Sequence, residues 1–192
     1  NPSEMVATNI YGTQNCIDAA AAEKVQRFIF ISSDKAWQPI SPYGQSKALA
    51  ESLVLNANHV FGKKGPTFKA VRYGNVANST GSVIPKWRKL LETGKTVPVT
   101  DPDATRFWMH VSEAVDLVLQ ACDEKSEGLL IPALPAYRVH DLAVAMGARS
   151  IEVVGLPSWE KKHESMAEWN SSDTARRMTI AELEKELENI DG

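Results

Sequence analysis

The sequence predicts an α/β protein built on a parallel sheet, with a smaller and less regular subdomain toward its end. Three features carry that expectation. Segments with helical spacing of apolar residues alternate with short apolar runs, the pattern of strands joined by helical crossovers. The run Phe28-Ile29-Phe30-Ile31 is apolar at every position, as in a strand covered on both faces. The last third is less regular, and no Gly-rich linker sets it off as an independent domain.

The elements follow in order. Met5, Ile10, Cys16, Ile17 and the alanines up to Ala22 recur at helical spacing, which predicts a helix over about residues 3–24. A strand over 26–32 comes next, then a loop holding Pro39 and Pro42. A helix over about 43–60 has Ser41 as its N-cap and Pro42 in its first turn. Residues 68–73 read as a second strand. Gly81-Ser82 opens a helix that Gly94 ends, and 111–122 form an amphipathic helix with Val115, Val118 and Leu119 on one side. Leu129-Leu130-Ile131 is a short strand and 139–146 a short helix. Thr179 begins a terminal helix whose Leu183 and Leu187 lie under a densely charged outer surface. No internal repeat interrupts this order.

The 192 residues are 43% hydrophobic and 23% charged, an ordinary globular composition that can bury one core or one and a half. No apolar run approaches the roughly 20 residues of a membrane span. A formal charge of -3 gives no electrostatic reason to expect nucleic acid. Cys16 and Cys122 stand far apart inside apolar helical patterns, so both are expected as buried thiols of a reducing compartment, the cytoplasm. The opening Asn1-Pro2-Ser3-Glu4 has neither the basic patch nor the apolar stretch of a secretory signal, and no Met stands first. A partial chain is expected.

The strongest chemical signal is local. Ser32, Ser33, Asp34 and Lys35 follow the first strand at its carboxyl end, where open α/β sheets bind their ligands. Tyr43 and Lys47, four residues apart, share one face of the next helix. A cation near a phenol favours the phenolate, and a Tyr able to shed its proton near neutrality is a general base toward an alcohol. Taken singly, such a Tyr–Lys pair is ordinarily an amphipathic edge, and Asp34 and Lys35 are ordinarily solvated loop charges. Together on one strand–loop–helix unit they point to catalysis.

Further motifs accompany this unit in order: Thr8-Asn9-Ile10-Tyr11-Gly12-Thr13-Gln14-Asn15, Arg72-Tyr73-Gly74-Asn75-Val76, Gly81-Ser82-Val83-Ile84-Pro85, Thr105-Arg106-Phe107-Trp108 and Glu160-Lys161-Lys162-His163-Glu164. With them the chain resembles the extended short-chain dehydrogenase/reductase superfamily. Within it, the likeness is to the inverting UDP-N-acetylglucosamine 4,6-dehydratases of the polysaccharide-biosynthesis branch, from residue 1 to about 166. Ser33-Asp34-Lys35 is similar to that branch's Thr-Asp-Lys, and Tyr43-Gly44-Gln45-Ser46-Lys47 to the superfamily's YxxxK. The resemblance implies the C-terminal part of a Rossmann-like doubly wound parallel sheet with a smaller α/β substrate-binding subdomain. Residues 1–76 would be the second half of the NAD(P)-binding domain. Residues 77–192 would be mainly substrate-binding, with about 105–131 returning to the sheet.

The resemblance also implies roles. Tyr43 takes the proton of the sugar 4-hydroxyl, Lys47 holds the nicotinamide ribose, and Ser33 orients the same oxygen. Lys35, with its amine neutral, removes the C5 proton, and Asp34 donates to the departing 6-hydroxyl. Retaining relatives carry Glu where Lys35 stands, so the inverting assignment rests on that residue. NAD or NADP would contact Ser32, Tyr43, Lys47, Tyr73, Gly74 and Val76. The UDP-sugar would contact Asn75, Gly81, Ser82, Val83, Arg106, Lys161 and Glu164, where Arg106 and Lys161 offset phosphate charge. A homo-oligomer is implied, or a missing N-terminal segment as companion.

The pattern departs from the family in three places. No Gly-x-Gly-x-x-Gly turn is present to hold a pyrophosphate, and the residue that separates NAD from NADP is absent with it. Without the preceding strands, the Phe28–Ile31 strand is expected to expose an edge and an apolar face, leaving the piece poorly soluble or in need of its missing portion. Pro157-Ser158-Trp159-Glu160 replaces a family Gly before Glu-Lys, and Ser33 stands for Thr. Trp108, Trp159 and Trp169 could stack on a base or sugar, although buried core tryptophans are commoner. His110 and His163 have no ligand-spaced partners, so no metal is expected. Lys89 occupies the position where a phosphate loop ending in Gly94-Lys95-Thr96 needs its first Gly. Two competing readings are an epimerase of the same branch and a non-catalytic remnant that binds nucleotide-sugar.

Overall fold

The computed structural model describes residues 1–123, 125 and 128–190. Backbone contacts divide it into two units, Asn1–Tyr73 with Ser112–Pro132, and Gly74–Val111 with the residues from Ala133 onward. Residues 124, 126, 127, 191 and 192 of the expected domains lie outside the described residues.

In the first unit, Asn1 caps the opening helix by accepting from the Ser3 N–H at 3.2 Å, and Pro2 fits the first turn. The helix runs as α1 (Pro2–Met5), a π-helical turn (Val6–Tyr11) and α2 (Gly12–Ala22). Then come β1 (Arg27–Ile31), a 3-10 turn (Asp34–Ala36), α3 (Pro42–Phe61), β2 (Thr67–Val71), α5 (Val111–Ala121) and β5 (Leu129–Leu130). The three strands form one parallel sheet in the order β1-β2-β5, the Rossmann-like arrangement expected. Ser41 accepts from the Gly44 N–H at 3.1 Å and starts α3; Gly62, at φ 61°, ends it.

Packing joins these pieces. Ile17, Ala20, Val54, Ala57 and Phe68 form the core, with the Phe28 and Phe61 rings 5.6 and 5.8 Å from Phe68. Because β5 spans only two residues, the outward backbone groups of Phe68 would lack partners on that side. The Asn58 amide supplies both, donating to the Phe68 carbonyl at 2.7 Å and accepting from its N–H at 2.9 Å. Lys69, buried in the middle of β2, donates to the Asp123 carbonyl just past α5, where a cation suits a helix C-terminus.

Three expectations change here. The Phe28–Ile31 run is half-buried, with Ile31 exposed, and is not covered on both faces; its place at the end of the β1-β2-β5 order among the described residues agrees with the exposed edge also expected for it. Cys16 and Cys122 are exposed free thiols, because each falls on the outer side of its helix while Ile17 and Ala121 turn inward. The apolar side of α5 marked by Val115 and Leu119 is exposed; Ala114, Leu117 and Ala121 are buried instead.

The second unit contains α4 (Val83–Glu92), β3 (Val97–Val99), β4 (Thr105–Phe107), β6 (Ala136–Arg138), α6 (Val139–Ala145), β7 (Ile151–Val153), β8 (Ser165–Ala167), β9 (Asn170–Ser171) and α7 (Ile180–Asn189). The strands pair two by two: β3 with β7 in parallel, β4 with β6 and β8 with β9 antiparallel. Trp87, Trp108, Tyr137, Leu142 and Leu183 centre its core. Thr179 and Glu182 form a capping box at the start of α7. Pairing with β6 holds β4 in this unit, so the chain rejoins the first unit at Ser112 and not near 105.

Candidate active site

The first unit gathers hydroxyl, carboxylate and amine in one turn. Ser33 is the N-cap of the 3-10 turn, its Oγ accepting from the Lys35 N–H at 3.2 Å. The same hydroxyl donates to Asp34 Oδ1 at 2.8 Å, and Lys35 Nζ reaches that oxygen at 3.1 Å. Asp34 is buried while the Lys35 side chain is 38% exposed, so one member of the ion pair meets solvent. Backbone bonds fix the turn: the Asp34 N–H donates to the Tyr73 carbonyl at 3.1 Å and the Trp37 N–H to the Asp34 carbonyl at 3.2 Å.

Helix α3 brings the phenol and the ammonium. Tyr43 is 39% exposed in its first turn, and Lys47 follows one turn later on the same face. Lys47 Nζ donates to the Ile31 carbonyl at the end of β1 at 2.7 Å and lies 4.2 Å above the Phe30 ring. Burial pushes the Lys47 ammonium below the usual lysine range, and the charge of Glu51 partly offsets this. Asn9, in the π turn, donates to Ser46 Oγ at 2.9 Å, and Ser46 donates to the Tyr43 carbonyl at 2.8 Å. π turns recur at functional sites, and this one ties the first helix to the start of α3.

The remaining expected residues divide between the units. Ser32 is buried at the end of β1, and its Oγ has no hydrogen-bond partner among the described residues. Tyr73 is partly buried, which pushes its phenol up. In the second unit, Asn75, Val76, Ser82 and Val83 line a cavity of about 20 Å³ with Phe107, Trp108 and Tyr137. Gly74 lies next to Asn75 in the same loop, and Gly81 takes φ 81° just before α4.

Arg106 is buried, and its guanidinium is committed to protein acceptors: the Thr105 carbonyl at 2.7 Å, the Lys162 carbonyl at 3.0 Å and the Glu160 carboxylate. Lys161 is half-buried in the loop so anchored. Glu164 is buried, its N–H donating to Ser172 Oγ at 2.9 Å and its carbonyl accepting from the Ser172 N–H. Trp108 is a core residue, and Trp159 and Trp169 are exposed. Sequence reasoning passed over Glu51, which pairs with Arg72. The spacing Tyr43, Lys47, Glu51, one turn at each step, was the available signal.

The parallel sheet defines an α/β protein with a Rossmann-like fold, the fold also of a solved UDP-N-acetylglucosamine 4-epimerase from Methanobrevibacter ruminantium and a dTDP-glucose 4,6-dehydratase from Streptomyces venezuelae. The chain belongs to the family described as polysaccharide biosynthesis protein, which it matches over residues 1–184. It is 40% identical over 169 residues to a UDP-N-acetylglucosamine 4,6-dehydratase (inverting) of Campylobacter jejuni, covering 86% of this chain and 51% of that protein. It is 36% identical over 171 residues to a UDP-glucose 4-epimerase of Rickettsia rickettsii, covering 86% and 50%. Its structure matches that of Pen from Bacillus thuringiensis with a TM-score of 0.88 and 32% identity, over 98% of this chain and 70% of the other. The chain spans about half the length of the curated relatives it matches.

Proposed function

We propose that this chain carries the catalytic and sugar-binding half of a nucleotide-sugar 4,6-dehydratase. Its substrate is UDP-N-acetylglucosamine or a similar UDP-sugar, processed through a 4-keto intermediate with inversion at C5 to make polysaccharide or glycan precursors. The observation that supports this best is the mutual contact of the Ser33 hydroxyl, the Asp34 carboxylate and the Lys35 amine at the carboxyl end of β1. The likeness to the Campylobacter dehydratase supports it independently.

A nicotinamide cofactor, NAD or NADP, suits the residues present. The buried Ser32 hydroxyl lacks a partner among the described residues, and Lys47 brings an ammonium to the same strand end. Ser32, Tyr43 and Lys47 would hold it, with Tyr73, Gly74 and Val76. When bound, it accepts hydride from C4 and returns it to C6.

Tyr43 takes the 4-hydroxyl proton as C4 is oxidised, and Ser33 hydrogen-bonds the same oxygen. The new ketone acidifies the C5 proton. Lys35 Nζ donates to Asp34 Oδ1 at 3.1 Å, a path along which a proton can move. Its passage from the ammonium to the carboxylate leaves a neutral amine beside a protonated acid. Lys35 then removes the C5 proton, and Asp34 donates to the 6-hydroxyl, which departs as water. Proton return to C5 from the opposite face inverts that centre. Asn75, Gly81, Ser82, Val83, Arg106, Lys161 and Glu164 are assigned to the nucleotide-sugar. By resemblance the enzyme works as a homo-oligomer, or with the segment that carries the Gly-rich turn.

The likeness to the Rickettsia protein supports a second reading, a 4-epimerase. That reaction needs Tyr43, Ser33 and Lys47 but gives the Asp34–Lys35 pair no task, so the dehydratase is preferred. The complete protein, incubated with UDP-N-acetylglucosamine and nicotinamide cofactor, is expected to yield a product lighter by one water. Unchanged mass with altered stereochemistry selects the epimerase, and untouched substrate under either cofactor sinks both.

A further inference from the structure

Glu51 lies one turn beyond Lys47 on α3, and its carboxylate is buried. It accepts from Arg72 Nε at 3.0 Å and from Arg72 Nη2, a bidentate pair in which each side chain is only 7% exposed. Arg72 is the first residue after β2, and its backbone N–H donates to the Leu130 carbonyl at 2.9 Å. Its guanidinium lies 5.6 Å from the centre of the Trp37 ring. Trp37 closes the 3-10 turn that carries Asp34 and Lys35, and the next residue after Arg72, Tyr73, supplies the carbonyl that holds the Asp34 N–H. The proposed chemistry uses none of Glu51, Arg72 and Trp37, yet they join every piece of the first unit that carries it.

We propose that Glu51 is a positioning residue: through its bidentate pair with Arg72, packed on Trp37, it sets the helix face bearing Tyr43 and Lys47 against the turn bearing Asp34 and Lys35. The inference rests on the reading that these four residues perform the chemistry. A buried ion pair is a poor stability device, since apolar residues of similar volume often replace one at no loss. What the planar fork supplies is direction, because two parallel N–H···O bonds admit one mutual orientation. The pair therefore specifies where α3 sits along the end of β2, and the Trp37 contact passes that placement to the turn.

The test uses Glu51→Gln, Glu51→Asp and the double variant Glu51→Leu/Arg72→Met, which removes the pair without leaving a buried charge alone. Hydrogen exchange is followed at the Asp34, Ala36 and Trp37 amides, all bonded within the turn or to Tyr73, and at the β2 amides as reference. The double variant should keep its melting temperature and its β2 protection while the turn amides exchange about tenfold faster, the mark of local opening. In the complete protein, Glu51→Gln and the double variant should lower kcat about tenfold with KM for the nucleotide-sugar unchanged, and Glu51→Asp should restore part of it. Wild-type turn protection in a folded double variant overturns the proposal, as does a KM rise without loss of kcat. If the double variant does not fold, Glu51→Asp decides by the same exchange measurement, since the shorter carboxylate cannot keep both bonds. A Tyr43→Phe control that retains full turnover sinks the catalytic reading alone, because the exchange result does not depend on it.

Discussion

Gly44 and Lys35 meet backbone to backbone: a Cβ on Gly44 would overlap the Lys35 carbonyl oxygen and come within 3.0 Å of Pro39 Cβ. The first turn of α3 can approach the turn of Asp34–Ala36 this closely only with a residue that has no side chain. In an ordinary helix, Gly→Ala stabilises by roughly 0.5–1 kcal/mol. Here the overlap is with backbone, which cannot rotate away. Gly44→Ala is therefore expected to destabilise the protein by about 1–3 kcal/mol, as overpacking does, measured as a lower urea midpoint. A raised midpoint would show that the turn yields.

Lys35→Ala separates the two halves of the proposed reaction. Tyr43, Lys47 and Ser33 remain, so oxidation at C4 is expected to proceed and nicotinamide absorbance to appear in a single turnover. Loss of water should fall by 10²-fold or more, roughly the share that general-base catalysis contributes. Equal loss of both steps would remove Lys35 from the role of base.

Tyr137 predicts an alkaline limit to stability. Complete burial pushes its phenol up to about 12, against a small opposing effect of Arg106. Between pH 10 and 12 the folded protein keeps a proton that the unfolded chain has released. Stability from this group is thus full below pH 10 and is lost as pH rises through about 12, a total of about 3 kcal/mol for a shift of about two units. Urea midpoints of wild type should fall across that range more steeply than those of Tyr137→Phe. Parallel curves would show that another group sets the limit.

Long elements were legible because their signals are local. Ser41 and Pro42 mark the start of α3, and the alternation of helix and apolar strand marks the parallel sheet. The short strands β3, β4, β6, β7, β8 and β9 were not, since two or three residues cannot show a period and only pairing with distant partners defines them. Cys16 and Val115 misled for a related reason: periodicity marks an apolar side without saying which side is covered, and the buried residues are Ile17 and Ala20 on α2 and Ala114, Leu117 and Ala121 on α5. At the site, the Ser33-Asp34-Lys35 triplet and the Tyr43–Lys47 spacing stood out as motifs. The Glu51–Arg72 pair spans 21 residues, and that contact exists only once α3 folds back on β2.

Arg106 tests how a cation assigned to a phosphate behaves when protein already occupies it. Its guanidinium serves three acceptors, the Thr105 and Lys162 carbonyls and the Glu160 carboxylate. It thereby pins the loop that carries Lys161 to β4, beside the Thr105–Lys162 backbone bond at 3.0 Å. Arg106→Ala removes one donor from each carbonyl and the partner of Glu160, while the Lys162 carbonyl keeps the Thr105 N–H and the Thr105 carbonyl keeps the Ser172 hydroxyl. The expected loss is about 1–2 kcal/mol, discounted because the Glu160 side chain is 33% exposed and remains partly solvated. Arg106→Lys keeps the charge, but one ammonium cannot reproduce a planar fork shared among acceptors on two segments. It should therefore recover less than half of the lost stability. Calorimetric titration with UDP then divides the roles. If Arg106 also meets the diphosphate, Glu160→Gln frees a guanidinium donor and should tighten UDP binding even as the loop loosens. If its work is confined to pinning the loop, Glu160→Gln should weaken binding in step with the fall in melting temperature. With Arg106 assigned to the nucleotide-sugar, the first outcome is the expected one.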